Sequence, residues 1–197
     1  MNAPDAPETR LSLLFRVGDG DDQAAWDEFV QIYHPVIYRT ARYKGLQDAD
    51  AMDVAQTVLM SVGRALAKRP HDPSRARFRT WLNTVTRNAA INALRGKTLD
   101  RGTGDSGVQA MLNAAEAKPL DDGDVLEREY QKELFRTAAR LVQPEFAGDT
   151  WQAFWRTTVD GEPIADVALD LGKQPGSVYA ARSRIIRRLK QEIERLG

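Results

Sequence analysis

The sequence contains no cysteine and only two histidines, His34 and His71. Without thiols the chain can form neither disulfides nor thiolate metal sites, and it has no cysteine nucleophile. Two imidazoles are too few for a histidine-rich metal site. No apolar run reaches the length that spans a bilayer, and the N-terminus MNAPDAPETR lacks the charged-then-apolar layout of a signal peptide. We therefore expect a cytoplasmic protein without a metal or cofactor.

The chain also lacks net charge, because 28 lysines and arginines balance 28 acids. Its charges are nevertheless segregated. Basic residues predominate in residues 68–101 and again from Lys173 to the end, whereas acids gather elsewhere, chiefly in residues 19–22, 48–53 and 121–133. Two basic patches on a neutral chain suggest two contacts with a polyanion. Ordinary solvated helix faces would explain either patch alone equally well.

Hydrophobic residues recur at spacings of three and four along most of the chain, and no stretch shows the alternation of a strand. This pattern predicts an all-α protein with two small helical domains joined by a flexible linker. We expect a flexible tail over residues 1–10, a first domain over 11–97, a linker over 98–125 and a second domain over 126–197. The linker assignment depends on the glycine-rich, polar and acidic composition of that segment, with a short helical turn near residues 108–117.

The first domain is predicted to contain three helices, over residues 21–44, 48–67 and 75–95. Pro35 is expected to bend or break the first helix, because proline lacks the amide that an interior position donates. Gly96 is expected to end the third helix.

The third of these helices has a polar face opposite its apolar stripe. Arg79, Asn83 and Arg87 form that face, where arginine can hold phosphates and asparagine can hydrogen-bond base edges. Trp81, at the margin, could stack on an unpaired base, but a core position is the more common role of such a tryptophan. The inward stripe is expected to consist of Phe78, Leu82, Val85, Ala89 and Ala93.

The second helix carries a different surface. Asp53, Gln56 and Met60 align at i, i+3 and i+7 on its exposed side, and Asp50 and Thr57 flank them. An exposed methionine in an acidic stripe suggests a contact with a protein rather than with DNA. A solvated face with one stray apolar residue is the alternative, and the stripe alone does not decide between the two.

The second domain is predicted to contain helices over residues 126–142, 150–159, 164–171 and about 175–196. The last two are joined by a turn at Gly172, the layout of a helix-turn-helix whose second helix enters the major groove. A plain amphipathic hairpin with a basic outer side is the alternative. The candidate contacts with bases and phosphates are Lys173, Gln174, Ser177, Tyr179, Ala180, Ser183, Arg184 and Arg187.

Together these segments resemble the extracytoplasmic-function group of RNA polymerase sigma factors, in the sigma-70 superfamily. The run DAMDVAQ over residues 50–56 is similar to the family's acidic helix: Asp50, Asp53 and Gln56 match, whereas Met52 and Thr57 stand at positions that are commonly acidic. RFRTWL over residues 77–82, followed by TRN over 86–88, resembles its strand-opening and minus-ten-reading helix. Ser183-Arg184 and Arg188-Leu189 fit the domain that reads the minus-thirty-five element, although Tyr179 and Ala181 stand where many relatives carry basic residues.

The resemblance implies an alternative sigma factor whose partners are core RNA polymerase and promoter DNA. The acidic helix, through Asp50, Asp53, Gln56, Thr57 and Met60, would bind the clamp of the β′ subunit. An anti-sigma factor is a further candidate partner, because many relatives are held by one. The residues that would contact the minus-ten element are Arg75, Arg77, Arg79, Trp81, Asn83, Arg87 and Asn88.

Other functional classes would require different surfaces on the protein. A stand-alone helix-turn-helix regulator would bind duplex DNA without polymerase and would need no acidic docking helix. A helical interaction protein, or a degenerate relative of the family that titrates an inhibitor, would need no nucleic-acid surface. An enzyme is the weakest interpretation, because the sequence shows no phosphate-binding loop and no nucleophile–base arrangement.

Overall fold

The computed structural model describes residues 9–68, 77–100 and 122–197. All regular secondary structure in these ranges is helical, which confirms the predicted all-α class. No helix within them is both long and apolar enough to cross a membrane. A short 3₁₀ turn at Gln143–Glu145 accompanies the following helices: α1 (Leu11–Gly18), α2 (Gln23–Tyr43), α3 (Asp48–Lys68), α4 (Phe78–Asp100), α5 (Asp122–Val142), α6 (Gly148–Thr158), α7 (Ile164–Asp170) and α8 (Pro175–Leu196).

The first helix, α1, was not predicted from the periodicity. It places Leu13, Leu14 and Val17 in the core, and the buried Thr9 before it shares a hydrogen bond with the hydroxyl of Tyr33. Arg10 forms an ion pair with Glu28 on α2. The expectation of a flexible tail is therefore wrong for residues 9 and 10, whose side chains have partners in the fold; residues 1–8 lie outside the described residues.

Asp22 caps the N-terminus of α2. Its carboxylate accepts a hydrogen bond from the Ala25 amide at 2.9 Å and another from Arg16 Nε at 2.7 Å. The Arg16 guanidinium, followed by the Ala25 amide, lowers the pKa of Asp22 below its ordinary value. The cap thus connects the end of α1 to the start of α2 and satisfies an amide that has no partner within the helix.

Replacing Asp22 with alanine should lower the free energy of unfolding, because the Ala25 amide loses its N-cap acceptor. Thermal denaturation followed by circular dichroism would show a midpoint lower by roughly 2–4 °C. The difference should shrink in acid, because a carboxyl whose pKa is lowered in the folded state contributes above its unfolded pKa of about 3.9 and loses that contribution below it. Asp21→Ala, at the exposed neighbour, is the control; an equal loss in both variants would contradict this role.

Pro35 does not break α2, which continues through it from Gln23 to Tyr43. Buried side chains lie on both sides of the proline, among them Tyr33, Val36 and Ile37. Their packing holds the helix together although one backbone hydrogen bond is missing. The helix ends at Tyr43, close to the predicted end at residue 44, and Gly45 follows with a φ of 95°, which favours glycine.

Helix α4 runs past Gly96 to Asp100, so the prediction that Gly96 ends it is wrong. Its buried face is also wider than the predicted stripe, because α4 packs against α2 and α3 on one side and against α5 on another. Arg79, Thr86 and Ala90 are buried, whereas the predicted core positions Val85, Ala89 and Ala93 are only partly buried.

One hydrophobic core joins the segments predicted as separate domains. Helix α5 packs against α2 on one side and α8 on the other. The rings of Tyr33 and Tyr130 stack with their centroids 5.5 Å apart, and Arg39 donates a hydrogen bond to Glu133 at 2.8 Å. Of the predicted linker, residues 98–100 end α4 and residues 122–125 begin α5; the rest, with the expected turn near 108–117, lies outside the described residues.

Candidate protein and nucleic-acid interfaces

The acidic stripe of α3 lies on the surface. Asp53, Gln56, Thr57 and Met60 are exposed and Asp50 is partly exposed, so all five predicted contact residues share the outer side of one helix. The opposite side of α3 is buried as the periodicity predicts, at Ala51, Val54, Ala55, Val58, Leu59 and Val62. Four of the five side chains predicted to contact a protein, those of Asp53, Gln56, Thr57 and Met60, are therefore fully on the surface.

A groove of about 610 Å³ between α2 and α3 runs beside this stripe. Met52 and Met60, each about half exposed, stand at its edge with the carboxylate of Asp53. Its lining is Trp26, Val30, His34, Met52, Asp53, Gln56, Leu59 and Met60. An apolar groove with a carboxylate and an amide at its rim suits a partner that offers both apolar and cationic side chains.

The sequence did not indicate that Trp26, Val30 and His34 of α2 line a groove beside the acidic stripe. Gly63 on α3 lies so close to Trp26 that a Cβ at this glycine would be 3.0 Å from the indole ring. The glycine thus allows the flat indole to pack directly on the α3 backbone, where it forms part of the groove. A tryptophan in an amphipathic helix gives no sign of such a neighbour, so only the fold reveals it.

The exposed face of α4 contains two of the predicted nucleic-acid contacts, Arg87 and Asn88, and a third, the exposed Arg77, immediately precedes the helix. Trp81 is partly buried and packs against Phe78 with ring centroids 5.7 Å apart, so it is mainly a core residue with one edge at the surface. Asn83 is also partly buried, and its Oδ1 accepts no hydrogen bond from the described residues. Arg75 lies outside the described residues.

Arg79 does not share this exposed face. Its side chain is only 10% exposed, and its Nε and Nη2 donate to the two carboxylate oxygens of Glu127 at 2.6 and 3.1 Å. The guanidinium carbon lies 4.4 Å from the centre of the Tyr130 ring. Burial is the largest single effect and works against its charge, but the hydrogen bonds and charge of Glu127 together with Tyr130 and Tyr33 outweigh it, so the pKa of Arg79 is raised. The prediction that Arg79, Asn83 and Arg87 form one open face is therefore wrong for this arrangement, because α5 covers Arg79.

An ionic cluster fixes the positions of α6 and α7 relative to each other. Arg156 at the end of α6 donates to Glu162 at 2.8 Å and to Asp170 at 2.9 Å, which connects the loop and the end of α7 to α6. The Arg156 guanidinium also lowers the pKa of the Glu162 carboxyl. Gly172, with φ of 61°, then turns the chain into α8.

Helix α8 presents a polar outer face and an apolar inner one. Val178, Ala181, Ile185 and Leu189 are buried, as its periodicity predicts. Lys173 differs from the other predicted contacts, because it is partly buried and its Nζ forms an ion pair with Asp149 at 2.5 Å. The exposed candidates are Gln174, Ser177, Tyr179, Ala180, Ser183, Arg184 and Arg187.

Arg188 shows that the basic residues of α8 do not all belong to one exposed surface. It binds Glu145 in a two-pronged ion pair at 2.7 and 2.6 Å and also donates to the buried Glu192 at 3.0 Å. Its charge is therefore used within the fold, whereas Arg184 and Arg187 remain exposed. Among the described residues, no group of three or more histidines and acids is placed to hold a metal ion.

Comparison with known proteins connects these surfaces to one family. Residues 29–99, which cover most of α2, all of α3 and nearly all of α4, match the family described as Sigma-70 region 2. The chain is 28% identical over 178 residues to the ECF RNA polymerase sigma factor RpoE of Cereibacter sphaeroides, a match over 89% of this chain and 92% of that protein. It is 26% identical over 183 residues to the ECF RNA polymerase sigma factor SigM of Mycobacterium tuberculosis, over 85% of this chain and 79% of the relative.

Proposed function

Because the chain belongs to the extracytoplasmic-function group of the sigma-70 family, we propose that it binds core RNA polymerase as an alternative sigma factor and directs promoter-specific transcription initiation. One observation carries the proposal: the exposed acidic and apolar surface of α3 lies in the same matched segment as the arginine-bearing outer face of α4. The first surface suits a protein and the second suits a polyanion. The chain would work in the cytoplasm as a binding factor, and the chemistry would belong to polymerase.

The α3 stripe and its groove are the proposed docking surface for the clamp of the β′ subunit. Asp53, Gln56 and Thr57 offer acceptors to cationic partner side chains, Met60 offers a flexible apolar contact, and Asp50 flanks them. An anti-sigma factor that competes with polymerase would be expected to cover part of the same surface.

The outer face of α4 is the proposed site for the melted strand of the minus-ten element. Arg77 and Arg87 can hold phosphates, Asn88 can hydrogen-bond a base edge, and the exposed edge of Trp81 can contact an unstacked base. Holding a base outside the duplex costs a few kcal/mol, which these contacts must offset. Arg75 would add a contact from the preceding segment and the partly buried Asn83 another, whereas Arg79 can contribute only if α5 moves away.

Helices α7 and α8 are the proposed reader of the minus-thirty-five element, as a helix-turn-helix with α8 in the major groove. Ser177, Tyr179, Ala180, Ser183 and Arg184 lie on its exposed face near the turn. Gln174 precedes them and Arg187 lies one turn further along. Lys173 would have to exchange its Asp149 partner for a phosphate.

Run-off transcription with purified core polymerase tests the proposal. The chain should produce discrete transcripts from its own promoters, selected from a genomic fragment library of the source organism, and core enzyme alone should not. Absence of promoter-specific product across that library would refute the function. Binding to duplex promoter DNA without polymerase, together with no effect on core enzyme, would instead favour the stand-alone regulator.

Charge reversal at Arg184 should lower the affinity of the holoenzyme for promoter DNA by about tenfold or more, because one lost base or phosphate contact is worth about 1–3 kcal/mol. Binding to core polymerase should not change, since Arg184 lies on α8 and the docking surface on α3. Lys190→Glu, an equal charge change at an exposed position further along α8, is the control. Gel-shift titration of both variants measures the difference, and equal losses would argue against specific contacts by Arg184.

A further inference from the structure

A second groove, of about 1070 Å³, lies between α2, α5 and α6. Its volume is near the upper end of the range for clefts that hold small molecules. Its walls carry Arg39 from α2, Glu133, Arg136 and Arg140 from α5, and Trp151 and Trp155 from α6. We propose that this groove binds a nucleoside di- or triphosphate, with its phosphates on Arg136 and Arg140 and its base against Trp155. The site is separate from the surfaces proposed for polymerase and promoter DNA.

Three arginines converge on one buried carboxylate in this groove. Glu133 is 5% exposed, and its oxygens lie 2.8 Å from Arg39, 3.5 Å from Arg136 and 3.7 Å from Arg140. One carboxylate matches the paired donors of a single guanidinium, and Arg39 is the arginine close enough to hydrogen-bond it. Glu133 therefore orients the other two guanidinium groups without satisfying their donors, and the groove keeps an excess of positive charge beside it.

Arg136 and Arg140 have donors to offer to a ligand. Their side chains are 49% and 60% exposed. In the part of the chain that the structure describes, Arg136 makes no hydrogen bond and Arg140 donates only to the Thr137 hydroxyl, at 3.0 Å. Each guanidinium has five N–H groups, and residues four apart on a helix lie on the same face. Two such forks, one turn apart, suit a ligand with two or more phosphate groups.

Two indole rings form the aromatic wall of the groove. Trp151 and Trp155, one turn apart on α6, stack with ring centroids 6.0 Å apart. Trp151 is buried, whereas Trp155 is only partly buried and also contacts Phe135. A nucleobase stacks on such a ring while arginines hold the phosphates attached to it. A site for a simple inorganic anion would need no indole, and a site for an apolar molecule would need no arginines.

The remaining charges of the groove indicate which end the phosphates occupy. Arg156 lines the groove, but it already donates to Glu162 at 2.8 Å and to Asp170 at 2.9 Å. The exposed Asp160, which follows α6, would repel a phosphate. The α6 side therefore suits the uncharged base, and the α5 side suits the phosphates.

Isothermal titration calorimetry of the full-length protein in magnesium-free buffer tests this site. The ligands are ATP, GTP, adenosine and inorganic tripolyphosphate. ATP and GTP should bind with similar affinity, because stacking tolerates any base, and each should bind at least about tenfold more tightly than tripolyphosphate or adenosine. Equal affinities for ATP and tripolyphosphate would show general attraction of anions to a basic surface and would overturn the proposal.

Substitutions separate the two halves of the ligand. Arg136→Gln and Arg140→Gln should each weaken ATP binding by at least about tenfold, and Arg136→Lys by less, because lysine keeps the charge but loses the fork. Arg128→Gln, at an exposed arginine of α5 outside the groove, is the matched control and should bind as wild type does. An equal loss in Arg128→Gln would contradict the site.

Trp155→Leu tests the stacking directly. It should lower the affinity for ATP towards that for tripolyphosphate and leave tripolyphosphate binding unchanged, a selective loss that a general disturbance of the fold would not produce. Circular dichroism checks that the helices persist. Unchanged ATP binding in Trp155→Leu would overturn the placement of the base, and binding of an oligonucleotide without binding of ATP or GTP would overturn the nucleotide site. Run-off transcription decides the sigma-factor function independently of these results.

Discussion

Replacing Tyr33 with alanine is expected to lower the free energy of unfolding by about 3–5 kcal/mol, as large aromatic truncations in cores do. The ring is 1% exposed and lies between Phe29, Phe78 and Tyr130, with centroid separations of 4.5, 5.6 and 5.5 Å. Burial, above all, raises the pKa of its phenol well above the ordinary value, so the hydroxyl stays protonated in its hydrogen bond with Thr9. The substitution removes all of these contacts together and leaves a cavity.

Differential scanning calorimetry would show the effect as a midpoint lower by roughly 6–20 °C. Tyr33→Phe retains the ring and should cost only about 1 kcal/mol. Phe15→Ala, at an aromatic residue that is 57% exposed, should change little. Because Tyr33 lies in a core shared by α2, α4 and α5, its loss should shift one common transition. Two transitions, of which only one moves, would show that the helices melt as independent domains.

The faces of α3 and α8 could be predicted from the sequence because each has one apolar side and one polar side. Periodicity alone then decides which residues point inward, and the exposed positions of Asp53, Gln56, Arg184 and Arg187 follow. The chemistry of those positions also follows, since acids beside a methionine and arginines beside serines suit different partners. For such helices, the sequence alone predicts most of the exposed residues that form the candidate site.

The face of α4 could not be predicted in the same way, because two neighbours cover it from different directions. An arginine opposite an apolar stripe is ordinarily solvated, and nothing near Arg79 in sequence indicates otherwise. Its partner, Glu127, lies 48 positions further along the chain, beyond a segment without periodicity. Only tertiary packing determines whether such an arginine faces water, DNA or another helix, so its burial is a property of the fold.

The positions of proline and glycine did not predict the helix ends correctly, because tertiary packing also determines where a helix stops. Pro35 and Gly96 both lie within helices, where they lower helix propensity by amounts of about 3 and 1 kcal/mol relative to alanine. Around Pro35 the burial of neighbouring side chains offsets that cost. The exposure of a charged residue is likewise not determined by its neighbours in sequence. Arg188 lies in a basic segment, but its ion pair with Glu145, 43 positions away, holds its charge within the fold.

Charge reversal at Asp53 is expected to abolish promoter-specific transcription while leaving the fold intact. The carboxylate is exposed beside the apolar groove, so arginine can replace it without disturbing the core. Against a partner surface that complements the acidic stripe, the new cation faces like charges, which costs several kcal/mol. Affinity for core polymerase should therefore fall by at least about tenfold, since each 1.4 kcal/mol corresponds to that factor.

Co-purification with core polymerase and run-off transcription measure this loss, with Asp21→Arg as a control of equal charge change at another exposed acid. Met60→Ala should weaken binding less, because it removes an apolar contact without adding repulsion. The thermal midpoint of Asp53→Arg should match wild type. If Asp53→Arg retains transcription, the docking surface lies elsewhere; if it loses transcription but still binds core enzyme, α3 acts after docking. Loss of both, with Asp21→Arg unaffected, is the result that the acidic groove predicts.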